Sequence, residues 1–271
     1  MTDSPNFFDL SGEVILLTGC SGQLGNYFTE ALISQNAKVI GLDIQKPDFL
    51  KKAFNNPNFK FKECDITNED QMTDALNFSE NTFGVPTILI NNAALDSPPS
   101  DSSGGNFSSP FEEYPYDIWK QVINVNLNGV FVSSKVIGSK MASNKNGNII
   151  NISSIYGLIS PDQSLYEYKR LKGDNFFKPG AYSASKSGVI NFSRYLSVYW
   201  ANKNIRVNNL VLSGIFNNQD DKFLENYNKR IPIGRMATKE DIIGPLIFLC
   251  SDASAYMTGS DLLVDGGWTA I

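Results

Sequence analysis

The sequence contains no histidine, and this absence removes several classes of chemistry at once. Hydrolysis by a Ser-His-Asp triad and proton shuttling by imidazole are excluded. Zinc sites built on histidine are excluded too, and the cysteines lack metal-ligand spacing, so we expect no metal centre. Acid–base chemistry must therefore use tyrosine, lysine, aspartate, glutamate or cysteine.

Cysteine, excess positive charge and long apolar runs are also scarce. The three cysteines are far apart and odd in number, which favours free thiols in a reducing compartment, and we expect a cytoplasmic protein. The net charge of -5 indicates no basic face for nucleic acid or for an anionic membrane. No run is apolar enough to span a bilayer, and the N-terminus lacks the basic region of a signal peptide. The expected partner is a small molecule.

Apolar runs typical of buried strands alternate with segments of helical periodicity along the 271 residues. We predict an α/β fold, a doubly wound parallel Rossmann sheet with helices on both faces, as one domain over residues 1–271. Loops at about 95–117, 159–180 and 214–236 follow strands and are expected to cover the site. The predicted strands are 14–18, 38–43, 59–63, 87–91, 148–153, 205–212 and 262–264; the predicted helices are 23–35, 68–78, 118–143, 182–202 and 239–251.

The first strand runs into a glycine-rich turn that opens the first helix. Its sequence is Thr18-Gly19-Cys20-Ser21-Gly22-Gln23-Leu24-Gly25. Glycines let the turn be tight and let a pyrophosphate approach the backbone, while the helix N-terminus offers free N–H groups to phosphate. The position after the first strand favours a dinucleotide site over an ordinary tight turn.

Asp43 ends the second predicted strand, where a carboxylate can accept hydrogen bonds from the adenosine ribose. This carboxylate repels a 2′-phosphate, and the next cation along the chain is Lys46. The sequence therefore favours NAD over NADP. The alternative is that Asp43 only caps the following turn.

Further motifs follow in a fixed order: Cys64-Asp65-Ile66-Thr67, Asn91-Asn92-Ala93-Ala94, Val125-Asn126-Leu127-Asn128-Gly129-Val130-Phe131, Asn151-Ile152-Ser153-Ser154, Tyr182-Ser183-Ala184-Ser185-Lys186 and Asp261 to Trp268. Together they resemble the short-chain dehydrogenase/reductase family, in its compact single-domain branch, from about Ser11 to Trp268. Some features depart from the family pattern: the glycine spacing is more like the family's extended branch, Ala94 replaces a usual glycine, Ser213-Gly214 stands where Pro-Gly is usual with no threonine nearby, and the separation from Ser154 to Tyr182 is longer than usual.

The resemblance implies catalytic roles for Asn126, Ser154, Tyr182 and Lys186. It also implies an adenine contact at Asp65, and Ile215 is the candidate for a backbone contact to the carboxamide. With the glycine turn and Asp43, the expected cofactor residues are Gly19, Ser21, Gly22, Gln23, Leu24, Gly25, Asp43, Asp65, Ile66, Asn92, Ala93, Ala94, Tyr182, Lys186, Gly214 and Ile215.

The expected acid/base is Tyr182, because hydride transfer at a carbonyl carbon requires proton transfer at its oxygen. Lys186 lies four residues along the same predicted helix, so we expect its ammonium to lower the pKa of the phenol from about 10. Ser154 is expected to orient the substrate oxygen, and Asn126 to seat Lys186 through an ordered water. The structural alternatives are a surface tyrosine stacked on lysine, a serine at a strand end and a helix-interior asparagine.

The expected function is hydride transfer between NAD(H) and a hydroxyl or carbonyl of a small polar substrate. The segment 160–180 carries tyrosines and balanced charge, which suits a sugar or sugar phosphate, although a solvated surface loop is equally compatible. Residues Ser153–Asp162 and Asn217-Asn218-Gln219 are similar to dehydrogenases of bacterial surface-sugar and nonulosonate pathways.

Two other functions stay open: an epimerase or dehydratase that uses NAD transiently, and a non-catalytic NAD-binding regulator. The family resemblance also implies a homo-oligomer, a tetramer or dimer formed through helices 118–143 and 182–202. The residues Val189, Phe192, Leu196 and Trp200 suit that interface and equally suit the core.

Overall fold

Seven parallel strands form one sheet in the computed structural model, which describes residues 6–46, 51–96 and 108–271. The strand order is β3-β2-β1-β4-β5-β6-β7, and every neighbouring pair is parallel. This order confirms the predicted doubly wound Rossmann sheet. The strands are β1 Val14–Thr18, β2 Lys38–Asp43, β3 Phe59–Glu63, β4 Ile88–Asn91, β5 Gly147–Ser154, β6 Ile205–Leu212 and β7 Asp261–Val264.

Helices cover both faces of the sheet. One face packs against α1 and α10 through a cluster that includes Phe28, Leu32 and Leu246. The opposite face packs against the helices that include Met72, Met141 and Leu196. The helices are α1 Gln23–Ser34, α2 Lys51–Phe54, α3 Glu69–Thr82, α4 Tyr116–Ile123, α5 Gly129–Ser133, α6 Ser139–Asn144, α7 Glu167–Arg170, α8 Gly180–Tyr199, α9 Asp221–Asn228 and α10 Lys239–Cys250, with π-helical turns at Asn124–Asn128 and Ser134–Gly138 joining α4, α5 and α6.

Two segments that the sequence presented as loops contain helix. Within 159–180, Asp162 caps a short 3-10 turn through the Ser164 N–H, and α7 follows. Within 214–236, Asp220 caps α9 by accepting from the Phe223 N–H. Both helices are too short for their periodicity to stand out in the sequence. Of the loop predicted at 95–117, residues 97–107 lie outside the described part of the chain.

The order of the strands reverses between β1 and β4, and the chain leaves the carboxyl ends of these neighbours toward opposite sides of the sheet. A crevice at such a switch point is where doubly wound sheets bind ligands. The turns after β1 and β4 meet there, because the Asn92 side chain donates to the carbonyls of Thr18 and Gly19 at 3.1 and 2.9 Å.

A row of buried amide side chains crosses the same end of the sheet. Asn91, Asn151 and Asn209 are neighbours in register on β4, β5 and β6. Asn91 donates to Asn151 at 2.7 Å, and Ser193 of α8 joins Asn151 to Asn209 through bonds of 2.7 and 2.6 Å. Because buried polar groups need partners, this row fixes the register of the strands that carry the site.

The helix face predicted as an interface proves to be mostly core. Val189, Leu196 and Trp200 are buried, and Phe192 packs beside them as a partly buried residue. Their large side chains fill the space between α8 and the sheet, so they are not available to a second copy. No helix among the described residues is long and apolar enough to cross a membrane.

Candidate active site

A cavity of about 960 Å³ lies at the carboxyl ends of the strands, within the range of small-molecule and cofactor sites. Of the residues predicted for the cofactor, it is lined by Gly19, Ser21, Gly22, Gln23, Leu24, Asp43, Asp65, Ile66, Asn92, Ala93, Ala94, Tyr182, Lys186, Gly214 and Ile215. Ser154 lines the cavity too, whereas Gly25 and Asn126 lie behind its wall. The folded chain therefore brings motifs from six strand ends and α8 to one place.

The glycine turn fits the approach of a pyrophosphate. Gly19 has φ +67°, and a Cβ there would lie 2.6 Å from the Cα of Ala93. A Cβ on Gly25 would lie 2.1 Å from the Gly19 carbonyl oxygen, so only glycine lets α1 start so close to the turn. The N-terminus of α1 has no side-chain cap, which leaves its first N–H groups for a ligand phosphate.

Asp43 stands at the end of β2, on the wall of the cavity. One carboxylate oxygen accepts from the Ser21 N–H at 2.9 Å, and the other accepts from the Ile44 N–H at 2.8 Å. Asp43 therefore does cap the following turn, as in the alternative considered above. Each carboxylate oxygen still has a lone pair that can accept a hydrogen bond from a ribose hydroxyl. Lys46 does not line the cavity, because its ammonium lies over the Phe54 ring, 4.7 Å from the centroid.

Ser154, Tyr182 and Lys186 meet at the inner end of the cavity. Ser154 ends β5, and its hydroxyl accepts from the Tyr156 N–H at 3.2 Å and bonds with the Tyr182 hydroxyl. The neighbouring Ser153 hydroxyl donates instead to the Lys186 carbonyl at 3.3 Å, so Ser154 is the serine beside the phenol. The ammonium of Lys186 donates to the Ile152 carbonyl at 2.7 Å.

The expected lowering of the Tyr182 pKa is not met by the protein's own groups. Burial among protein atoms raises the pKa of this phenol well above its usual value, the Asp96 carboxylate raises it further, and the Ser154 hydrogen bond opposes both. Burial also lowers the pKa of Lys186 to about 8. The Lys186 ammonium lies 5.7 Å from the Tyr182 ring centroid, and burial of the phenol outweighs any lowering of its pKa by this charge.

Asn126 lies in the π-helical turn after α4 and is buried. Its side chain accepts from the Leu95 N–H at 2.7 Å and donates to the Leu95 carbonyl and to the Ser185 hydroxyl at 3.0 and 3.1 Å. These bonds tie the chain after β4 to the residue that precedes Lys186. Asn126 therefore acts on the site by position, and the predicted water-mediated contact with Lys186 stays a prediction.

Sequence reasoning assigned no individual role to the polar and aromatic side chains on the opposite wall, although its segment 160–180 contains Lys178 and Tyr166. Lys178 forms an ion pair with Asp96, and its ammonium lies 5.1 Å from the Tyr182 ring centroid. The Tyr227 hydroxyl accepts from the Gly214 N–H at 2.7 Å. Tyr156 lines the same wall, together with Tyr166, Phe223 and Met236. Apart from Tyr156, which lies within the segment Ser153–Asp162, these residues belong to no motif, and only their position in segments that follow strand ends indicates them.

The comparisons with known proteins cover nearly the whole chain. A family model described as enoyl-(acyl carrier protein) reductase matches residues 21–269. A short-chain dehydrogenase from Leptospira borgpetersenii, solved with bound NAD+, has a TM-score of 0.86 and 34% sequence identity, with 99% of this chain and 98% of that chain covered. The chain belongs to the short-chain dehydrogenase/reductase family. It is therefore an oxidoreductase of that family.

Two further members of the family illustrate the range of related proteins. The 2-dehydro-3-deoxy-D-gluconate 5-dehydrogenase of Pseudoalteromonas atlantica is 32% identical, over 96% of this chain and 97% of its own. A gluconate 5-dehydrogenase from Burkholderia cenocepacia, solved in complex with NADP and tartrate, has a TM-score of 0.83 and 25% identity, with 98% of each chain covered. The solved relatives thus bind either form of the nicotinamide cofactor.

Proposed function

We propose that this protein transfers a hydride between NAD(H) and a hydroxyl or carbonyl carbon of a small polar substrate, in the class of sugars and sugar phosphates. The observation that carries the proposal is the meeting of Ser154, Tyr182 and Lys186 in the cavity that begins at the glycine turn. Such a set supplies proton transfer and orientation beside a dinucleotide site, which a binding-only protein does not need.

The residues present fit NAD, which supplies the hydride acceptor or donor when bound. The uncapped start of α1 and the turn around Gly19 would hold the pyrophosphate. Asp43 would accept from the adenosine ribose, and Asp65 and Ile66 would flank the adenine. Asn92, Ala93 and Ala94 would contact the cofactor from the β4 turn, and Gly214 and Ile215 would contact the carboxamide end.

The substrate oxygen would lie between Ser154 and Tyr182. Ser154 Oγ holds this oxygen by a hydrogen bond, and Tyr182 Oη gives or takes its proton. A neutral phenol donates to a carbonyl oxygen during reduction, and oxidation requires the phenolate. Lys186 would hold the nicotinamide ribose of bound cofactor, while Asn126 holds the backbone next to Lys186 through its bond to Ser185.

NAD is proposed as the preferred cofactor. The carboxylate of Asp43 lines the cavity, where it would face the 2′-phosphate of NADP, and Lys46 is held over Phe54 instead of at the cavity wall. Close like charges cost several kcal/mol when partly desolvated, of the order expected for charges at about 4 Å in a protein. Selectivity for NAD over NADP that arises from this repulsion depends on the Asp43 side chain.

The proposal is tested by a panel of sugars, sugar alcohols, sugar acids and sugar phosphates with NAD+ and NADP+, with NADH absorbance as the readout. We expect NADH to accumulate with at least one hydroxylated substrate. Conversion of a substrate without net NADH would instead indicate the epimerase or dehydratase alternative. NAD+ binding with no conversion of any substrate would indicate a regulator.

Association of copies through the long helices is proposed on a different set of residues from that first expected. Tyr195 and Tyr199 stack along α8, with ring centroids 5.8 Å apart. Tyr195 and Tyr199 are about 60% exposed, and Val198 is 79% exposed. Contiguous exposed apolar surface of this kind marks an interface. A dimer or tetramer would cover it.

A cytoplasmic location is proposed from the cysteines. Cys20, Cys64 and Cys250 are buried and unpaired. Burial raises the pKa of the Cys20 and Cys64 thiols to about 12, which keeps them as inert packing residues. Free buried thiols suit a reducing compartment.

A further inference from the structure

The substrate end of the cavity contains an ion pair that hydride and proton transfer do not use. Lys178 and Asp96 form this pair on the wall beside Tyr182. The Lys178 side chain is only 4% exposed, whereas Asp96 is 41% exposed. A buried ammonium is stable only when paired, so the pair is a fixed polar feature next to the reacting phenol.

A second polar group on the same wall has hydrogen-bonding capacity that the Tyr166 hydroxyl beside it uses only weakly. The Tyr156 hydroxyl is buried and has no hydrogen-bond partner of normal geometry among the described residues. Tyr156 is 8% exposed and lines the cavity, with Tyr166 next to it. Because buried polar groups in folded proteins are almost always satisfied, this hydroxyl is suited to a ligand partner.

Other cations of the two covering segments are engaged away from the cavity wall. Lys169 pairs with Asp174, and Arg170 donates to the carbonyls of Gln163 and Phe176 at 2.8 and 3.0 Å. Arg230 pairs with Asp162, Lys222 and Lys229 pair with Glu225, and Arg235 pairs with Asp241. Residues 97–107, which lie outside the part of the chain that the structure describes, contain no lysine or arginine in the sequence. The positive charge at this end therefore comes from Lys178, which Asp96 balances, and from Lys186.

An anionic substrate group is poorly matched to this wall. A phosphate or carboxylate at Lys178 would stand beside the Asp96 carboxylate, and the two negative charges would repel each other in a site of low dielectric. A neutral diol is well matched, since one hydroxyl accepts from the ammonium and its neighbour donates to the carboxylate.

We propose that Lys178, Asp96 and Tyr156 form a specificity site for an uncharged polyhydroxylated substrate, a sugar or sugar alcohol. Lys178 donates to one substrate hydroxyl, Asp96 accepts from the adjacent one, and the Tyr156 hydroxyl bonds a third group nearer to Ser154. This inference rests on the proposed function and narrows its substrate class to molecules without a phosphate or carboxylate.

The test compares kcat/KM with NAD+ for four kinds of substrate: neutral polyols, the matching sugar acids, the matching sugar phosphates, and simple secondary alcohols without further hydroxyls. For wild type we expect neutral polyols to exceed their charged counterparts by tenfold or more. Lys178→Met and Tyr156→Phe are expected to lower kcat/KM for the polyol about tenfold or more each, mainly through KM. Both variants should leave the simple alcohol within about threefold.

Lys172→Met is the matched control, because Lys172 lies in the same segment but over the Tyr168 ring, outside the cavity lining. It should leave all four substrates unchanged. Asp96→Asn gives a second, milder change at the ion pair, since it removes the charge and keeps the size of the side chain. Thermal unfolding of each variant separates misfolding from loss of substrate recognition. Calorimetric titration of the polyol into the protein–NADH complex gives a binding readout that does not depend on turnover.

The outcomes separate this inference from the function on which it rests. Oxidation of a sugar phosphate or sugar acid in preference to its neutral counterpart overturns the specificity site and leaves the dehydrogenase proposal standing. The same holds if Lys178→Met and Tyr156→Phe fold and treat polyols as wild type does. If wild type produces NADH with no substrate of the panel, the proposed function fails and the inference falls with it.

Discussion

Tyr182 and Lys186 show which properties of a residue pair can be predicted from its spacing in the sequence and which cannot. Their spacing of four in the sequence predicted a shared helix face, and both line one cavity from α8. The direction of the pKa shift could not be predicted, because it depends on burial and on Asp96, which the fold brings in from after β4. Charge partners from distant parts of the chain leave no local signal.

The lowered pKa of Lys186 gives a pH dependence of stability with a definite sign. Between about 8, its pKa in the folded protein, and its ordinary value near 10.5, the unfolded chain holds more protons than the folded one. The free energy of unfolding contributed by this group therefore increases as pH rises through that window. Urea unfolding of wild type and Lys186→Met at pH 7.5 and 9.5 measures the effect.

We expect wild type to gain stability relative to Lys186→Met at the higher pH. The Tyr182 phenol, whose pKa is raised in the folded protein, is present in both proteins, so its own contribution cancels in the comparison. An identical difference at the two pH values would mean that Lys186 is solvated as freely as a surface lysine.

Asp43 is the residue on which cofactor choice is expected to depend. Asp43→Ala removes the charge that repels a 2′-phosphate, so the ratio of kcat/KM for NAD+ over NADP+ should fall by about tenfold or more. Steady-state kinetics with both cofactors measures the ratio. Glu63→Ala, which removes an exposed carboxylate at the end of β3 outside the cavity lining, is the control. An unchanged ratio in Asp43→Ala would show that other groups select the cofactor.

At the scale of elements, hydrophobic periodicity predicted the strands and the long helices and missed the short helices. The strands at 38–43, 59–63 and 205–212 have the predicted bounds, since continuous apolar or alternating runs mark them clearly. Helix α9 was missed because Phe223 and Tyr227 are its only buried residues, too few to set a pattern. A short helix of this kind is held in place by the side chains that it packs into the wall of the cavity.

The start of α1 is the element whose geometry most constrains the cofactor site. Gly25→Ala would place a Cβ 2.1 Å from the Gly19 carbonyl oxygen, so the helix must move away from the turn. We expect NAD+ affinity to fall at least tenfold, measured by calorimetry, with a loss of about 1–3 kcal/mol in the free energy of unfolding from overpacking.

Gly244→Ala is the matched control for this substitution. Gly244 lies within α10, outside the cavity lining, with no atom near the position of a Cβ other than its chain neighbours and the backbone of its own helix, so alanine there should leave NAD+ binding unchanged. If Gly25→Ala binds NAD+ as tightly as Gly244→Ala does, the close approach at the turn is not required.

At the scale of the whole molecule, fold and family were readable from the order of the motifs, because α/β alternation fixes where strand ends meet. The substrate wall could not be predicted in this way, since Asp96 comes from the connection after β4 and Tyr156 and Lys178 come from the connection between β5 and α8. The sequence left Val189, Phe192, Leu196 and Trp200 open to a core or an interface role, because apolar spacing on α8 suits both, and their packing assigns them to the core.

The exposed face of α8 makes a prediction about assembly. The double substitution Val198→Glu and Tyr199→Glu places charge on that face, so we expect a shift from oligomer to smaller species in sedimentation analysis, with the fold retained by circular dichroism. Leu171→Glu, at a residue that is 82% exposed in the segment before α8, should leave assembly unchanged. A wild-type monomer at micromolar concentration would exclude the interface.

The most direct measurement of the central claim is single-turnover hydride transfer in Tyr182→Phe, paired with its NAD+ dissociation constant. The account predicts a rate lower by about 10²–10⁴, since general acid–base catalysis at the substrate oxygen is lost while the glycine turn still binds NAD+ with wild-type affinity. Hydride transfer within a few-fold of the wild-type rate, in a variant that is folded and saturated with cofactor, would contradict the account.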